Sequence, residues 1–399
     1  MKKNSKENFY DNRILKFTNT ACDCEVDVRH ISKGVKTYSF CLYPKDEWIN
    51  FYYTNKQGLV SNKSRETGDG NAVLFDLLAL KNGDVKSAKR FLEKHGFFFP
   101  IESESGTSIE AENLFGLINR IQATVSLMLQ LSKKQINYKK VIALTMYLII
   151  SPQISFKLTN ECGTFDSTSY ELGDYWDNIH LIDERKLRVE VEHYNVEESC
   201  FVIDSIYPPF TELKAFEYEE AVHCGFAPPT SKKDKIIYLF RNAIEVGPDC
   251  RLAIDFLYHF FKEIGEFENW DHEGNLMFLG DEREIMERFR ERSQLIEGLM
   301  KLAKNTLKTE IETNLRGIRP SYDTETMMPK WHVEYLLAGL YFSIFSMRPK
   351  IELYKECNNC GNLFRVNAST AHRIYCSAKC GNAATQRRHR MKKREEKNG

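Results

Sequence analysis

The sequence predicts an α+β fold: a large, mainly helical N-terminal region with small strand-rich segments, closed by a short C-terminal module cornered by cysteines. Three observations lead there. Runs of β-branched and aromatic residues sit in the first hundred positions and again over about 153–215, apolar residues recur at helical spacing between them and beyond, and four of the eleven cysteines fall within 24 residues near the end. With 399 residues, 42% of them hydrophobic and 12% aromatic, the chain carries enough apolar material for a sizeable core. Its length suggests two or three domains. The expected division is a small α+β unit over 1–107, a mainly helical domain over 108–348 that carries the strand-rich insert and serves as a sensor or partner region, and the cysteine module over 349–399.

Taken in order, Val35–Tyr43 and Ile49–Tyr53 read as strands. Ala72–Leu80 and Val85–Lys94 read as helices separated by Asn82-Gly83, with Asp84 as N-cap and Gly96 as stop. From Ser108 to Ser151 the pattern turns to long helices. Leu114, Leu117, Ile118, Ile121, Val125 and Met128 share a face, and Val141–Ile150 is apolar all round until Pro152 ends it. Ile154–Leu158, Leu187–Val191 and Cys200–Ile203 are strand candidates, punctuated downstream by Pro208-Pro209 and Pro228-Pro229. Helices return at Ile236–Ile244, Leu252–Ile264, a long charged Glu282–Leu315, and a last apolar Trp331–Met347 closed by Arg348-Pro349. The longest apolar stretches, Val141–Ile150 and Tyr335–Met347, fall short of the roughly 20 residues of a bilayer crossing. No membrane partner is expected. The charged N-terminus has no apolar run behind it, so a reducing cytoplasm and free thiols are expected.

Lys plus Arg equals Asp plus Glu at 56 each, yet residues 355–399 carry a net +8 and the rest of the chain −8. The basic end coincides with the cysteines. Cys357-Asn358-Asn359-Cys360-Gly361 has the form of a metal knuckle, two sulfurs brought to one ion across a tight turn, with a glycine able to take positive φ. Cys376-Ser377-Ala378-Lys379-Cys380 spaces its cysteines by four, on one face of a helical turn that Ser377 is suited to cap. That pair sits at the positive end of the helix dipole, which favours thiolates. Four thiolates suit tetrahedral zinc. Disulfides are disfavoured by the expected compartment, and iron–sulfur clusters have other familiar intervals. With four protein ligands the shell is closed, so the role is structural: folding a segment too small to hold its own core.

After Cys380 the chain runs through good helix formers with no proline, so the helix begun at Ser377 continues. Arg387, Arg390 and Arg394 share a face, and with Arg373, Lys379, Arg388 and Lys393 they form a phosphate-reading set; Asn382, Gln386 and the arginines are candidates for base edges. Such a patch points to nucleic acid, with DNA the first choice and RNA or a protein surface the alternatives.

Cys357-x-x-Cys360-Gly361-x-Leu363-Phe364, then Arg373-x-Tyr375-Cys376-Ser377-x-x-Cys380-Gly381-Asn382 and Arg387-Arg388-His389-Arg390, resemble the CGNR zinc finger, which closes a group of bacterial stress-induced transcriptional regulators. The resemblance spans about 35 of 399 residues. It implies a treble-clef-like or knuckle-plus-helix fold, zinc held by Cys357, Cys360, Cys376 and Cys380, and DNA binding by the finger and the helix after it. Residues 85–130 are loosely similar to the helical sensing domain of that family. One departure stands out: Ala383 occupies the place of the arginine in the name-giving motif.

Other constellations carry less. Cys22-Asp23-Cys24 with His30 lacks a second ligand pair and reads as structural thiols. His223-Cys224 are adjacent, and neighbours in sequence rarely face each other, so they read as core packing; the acidic run from Glu266 to Glu284 reads as a solvated loop and helix start. No phosphate loop, serine elbow or zincin motif occurs. The expectation is a non-enzymatic, zinc-containing DNA-binding regulator whose N-terminal region receives a small-molecule or protein signal; the alternatives are an RNA- or protein-binding module, or an enzyme docked to nucleic acid by the finger.

Overall fold

The structure, a computed structural model, describes residues 15–31, 35–54, 58–62, 72–101, 106–157, 164–177, 194–195, 200–202, 212–214, 231–242, 246–325, 327–347, 354–360, 363–366 and 372–398. It mixes helix and strand. Packing divides the chain into two compact units, one made of Met1–Gln122, Ile154–Phe165 and Ile311–Gly399, the other of Ala123–Gln153 and Asp166–Glu310.

The first unit opens with a long antiparallel hairpin, β1 (Lys16–Ile31) against β2 (Val35–Thr54). The two strands expected at Val35–Tyr43 and Ile49–Tyr53 are one continuous strand. Cys22 pairs with Pro44, a register shift follows, and pairing resumes at Thr20 with Trp48. A bulge beside a proline absorbs the missing N–H donor without ending the strand. β1 itself was not expected, although Cys22, Cys24 and Val26 alternate with Asp23, Glu25 and Asp27 in the period of two that a half-buried strand requires. β3 (Gly58–Ser61) and β4 (Thr107–Glu110) pair with β2 near its two ends.

Two helices cover this sheet, α1 (Val73–Leu78) and α2 (Val85–His95). Asp84 caps α2, its side chain accepting from the Ser87 backbone N–H at 3.1 Å, and Gly96 ends it at φ 77°. Glycine is required there twice over: a Cβ would sit 2.7 Å from the Thr20 carbonyl oxygen where the helix end meets β1. Phe97, Phe98 and Phe99 then run buried into the core. α3 (Ala111–Leu131) is long and apolar enough to cross a membrane by length and composition, yet 89% of that apolar window is buried within the protein. That is the burial of a core helix.

In the second unit α4 (Tyr138–Ile150) starts three residues before the expected Val141, at an Asn137 cap, and stops before Pro152, as expected. β5 (Ser155–Lys157) and β6 (Thr164–Asp166) pair in a two-stranded sheet that belongs to the first unit but for Asp166, and the short helix α5 (Glu171–Asp177) follows where a strand-rich, irregular stretch was expected. β7 (Tyr194–Asn195), β8 (Cys200–Val202) and β9 (Glu212–Lys214) form a small sheet. The expected strand at Leu187–Val191 and the two proline pairs lie outside the described residues. Next come α6 (Lys232–Asn242), α7 (Pro248–Glu263), the β10 (Glu266–Trp270) and β11 (Leu276–Leu279) hairpin, α8 (Glu282–Glu291) and α9 (Ser293–Asn314). The single helix expected over Glu282–Leu315 is thus two, broken at Arg292 with ψ 80°. The core of this unit gathers Phe256, Phe260, Phe267 and Phe289 around α4 and α9.

The chain then returns to the first unit through the hairpin β12 (Ile318–Asp323) and β13 (Met328–Val333), followed by α10 (Leu336–Phe345). The helix expected from Trp331 begins five residues later, because Trp331, His332 and Val333 pair with Pro320, Arg319 and Ile318 instead. Arg348-Pro349 lies outside the described residues. Last are β14 (Tyr354–Glu356), β15 (Leu363–Arg365) and α11 (Ala378–Asn398).

Candidate metal centre

β14 and β15 pair antiparallel, Tyr354 with Arg365 and Glu356 with Leu363, so Cys357 and Cys360 occupy the turn at the end of a two-stranded ribbon. Gly361 lies outside the described residues. The second cysteine pair lies at the start of α11. Ser377 caps that helix, its hydroxyl accepting from the Cys380 backbone N–H at 3.2 Å while its carbonyl accepts from Gly381 at 3.1 Å. Cys376 therefore precedes the helix and Cys380 completes its first turn.

The four sulfurs lie within 4.8 Å of one another, with Cys360 Sγ 3.7 Å and Cys380 Sγ 3.5 Å from Cys376 Sγ. A tetrahedron of sulfurs about 2.3 Å from a zinc ion has edges of about 3.8 Å. The donor set and its spacing fit one such ion.

The surroundings also supply what thiolates need. Burial works against the Cys357 thiolate, yet the backbone N–H groups of Cys376, Asn359 and Cys360 converge on it and bring its pKa down to about 6. Cys380 is lowered by the Asn359 side-chain amide first, then by the Cys376 thiol and the Ser377 hydroxyl. Cys376 goes the other way: burial and the neighbouring Cys380 and Cys357 sulfurs raise it. Four crowded sulfurs cannot all be anionic on their own, and a dication among them removes that conflict. Bound there, zinc would supply structural cross-linking with no open coordination position.

Around the sulfurs the apolar support is thin: Cys357, Phe364 and Val366 are buried, with Tyr375, Cys376 and Cys380 packed against them. Arg373 lies with its guanidinium over the Phe364 ring at 5.8 Å and donates to the Cys376 carbonyl at 3.0 Å. Arg388 donates to the Tyr375 hydroxyl at 3.1 Å. Lys379, Asn382, Gln386, Arg387 and Arg390 are exposed along α11. At 100° per residue these five fall within an arc of about 140°. Lys393 and Arg394 lie further along the same helix. Asn359, whose amide faces the Cys380 sulfur, was missed by the sequence reading; an amide inside the knuckle, next to its second cysteine, was the available signal.

The remaining sequence candidates resolve differently. Cys22 and Cys24 are buried in β1, Cys22 donating to the Leu92 carbonyl, and burial pushes both thiols up to about 12. They are structural, as expected. His223-Cys224 lies outside the described residues. The acidic run becomes the β10–β11 turn, where Asp271 accepts from the Glu273 and Asn275 backbone N–H groups, and the Asp281 cap of α8. Among the described residues, the C-terminal cysteines are the one group of three or more potential ligands close enough to hold an ion. Compared with protein-family models, with curated proteins and with solved structures, the chain finds no match in any of the three.

Proposed function

We propose that the C-terminal module is a zinc finger of the CGNR type that presents α11 to duplex DNA, and that the chain is a cytoplasmic bacterial transcriptional regulator without enzymatic activity of its own. The observation that carries this reading is the junction itself: a four-sulfur cluster fixes the first turn of a helix whose outward arc is cationic and exposed. Arginine forks match phosphate oxygens, and a helix held at its root can lie along a groove. The rest of the chain, acidic overall, is the part that receives a small-molecule or protein signal.

The test combines metal and nucleic acid. The full chain should bind one zinc per molecule. Its affinity for duplex DNA should fall about a hundredfold between 50 and 200 mM salt, the behaviour of roughly four neutralised phosphates. Replacing Arg387 and Arg390 with alanine should weaken binding across many sequences and reduce the salt slope by about two. Affinity that survives both that double substitution and chelation would remove the finger from the function, and a preference for RNA or for a protein would move the module to the corresponding class.

A further inference from the structure

Two of the arginines grouped with the phosphate readers are differently placed from the others. Arg388 lies about 100° round the helix from Arg387, on the side that faces the finger, and its guanidinium donates to the Tyr375 hydroxyl at 3.1 Å. The Tyr375 ring in turn covers Gly381, where an added Cβ would lie 3.4 Å from the ring edge. Arg373 performs the matching task on the strand side, spanning from the Phe364 ring to the Cys376 carbonyl. One chain of contacts thus runs from β15 through Arg373 to the loop carrying Cys376, and from Tyr375 in that loop to Gly381 and Arg388 on α11.

We propose that Tyr375 and Arg388 are positioning residues that set the azimuth of α11 about the metal cluster, so that Lys379, Asn382, Gln386, Arg387 and Arg390 face outward together. This rests on the DNA-binding reading. The cluster alone fixes where α11 begins, since Cys376 and Cys380 sit before and within its first turn. It does not fix how the helix two turns later is rotated and inclined. A strut from Arg388 to Tyr375 does, because it ties a point almost three turns along α11 back to the residue just before Cys376. The strut spends one guanidinium donor on the protein and keeps that charge off the outward arc.

The strut separates from a direct phosphate contact by its salt signature. Tyr375→Phe keeps the ring over Gly381 and removes only the hydroxyl. In the zinc-loaded full chain it should weaken duplex binding about fivefold, one net hydrogen bond. The salt slope should stay unchanged, since no charge is lost. Arg388→Ala should weaken binding to the same degree, and the double variant should be no weaker than either single one, the non-additivity of residues sharing one contact. Zinc content should stay at one per chain in all three. Hydrogen exchange of the α11 amides over 382–390 gives a readout without DNA: both single variants should quicken it, whereas Arg387→Ala should not.

If Arg388→Ala lowers the salt slope by about one and adds to Tyr375→Phe, Arg388 is a phosphate contact and the proposal is overturned. Exchange and affinity unmoved by Tyr375→Phe overturn it as well. Should the unmodified chain fail to bind duplex while both single variants still loosen α11, the positioning role stands and the DNA reading falls.

Discussion

His95 shows how far residue types alone mislead. Its Nδ1 faces the Ser61 hydroxyl at 3.5 Å and its Nε2 the Asp76 carboxylate at 2.9 Å, a serine, histidine and aspartate in a row. Ser61 and His95 are fully buried, however, and Asp76 is also held by Lys94 at 2.9 Å. The row joins β3, α1 and α2 and stabilises their packing. Burial pulls the His95 pKa below its ordinary 6.5 despite Asp76 beside it. At Asp76 burial works to raise the pKa, and the hydrogen bonds from His95 and Lys94 override it and lower it. Both folded values lie below the unfolded ones, so the native state holds fewer protons than the unfolded chain. Stability is therefore complete above about pH 6.5 and drains as pH falls, first through the histidine and then, below about pH 4, through the aspartate. The urea midpoint of the full chain should fall between pH 7 and pH 5. His95→Gln should flatten that fall while costing about 1–3 kcal/mol at pH 7, the penalty of disturbing a buried hydrogen-bonded group. An equally steep pH dependence in the variant would acquit His95 of the effect.

At the scale of elements, α11 was legible because its determinants are local: a serine cap, cysteines four apart, and helix formers with no proline. Asp84 and Gly96 bounded α2 for the same reason, a cap and a stop lying within the helix's own sequence. Elements decided by distant partners were not legible. β1 is a strand because β2 pairs along its length, and its cysteines invite a metal reading that the strand's burial cancels. Trp331 belongs to β13 because Pro320 lies opposite, and α8 parts from α9 where Arg292 leaves helical geometry. The grouping of the four cysteines was legible from spacing, whereas the division between outward cations and the strut at Arg388 required the position of Tyr375. Ala383 is the element-scale test. It is exposed, one turn before Arg387, and stands where the resembling family carries arginine. Ala383→Arg should add a cation within the outward arc, raise duplex affinity severalfold and steepen the salt slope by about one. Fluorescence anisotropy across a salt series reads both, and an unchanged slope would mean that this turn of α11 does not reach the phosphates.

For the whole molecule, the contrast lies between a C-terminal module whose buried support is three residues and the remaining chain, whose cores hold dozens of apolar side chains. So small a core does not offset the entropy of ordering its backbone, and modules of this size hold together through a metal or another cross-link. The module nevertheless packs into the first unit, where β15 runs beside α1. Metal loss should therefore be a local event. After chelation the amides of 354–360, 363–366 and 372–390 should exchange far faster, while the main calorimetric transition of the full chain moves by no more than about 2 °C, since the large cores contribute almost all of the unfolding enthalpy. Duplex binding should vanish with the same chelator titration that releases zinc and return when zinc is restored. A main transition that collapses on chelation would instead make the contact between β15 and α1 a keystone of the first unit. Metal loading would then control the whole fold as well as the reach of its cationic helix.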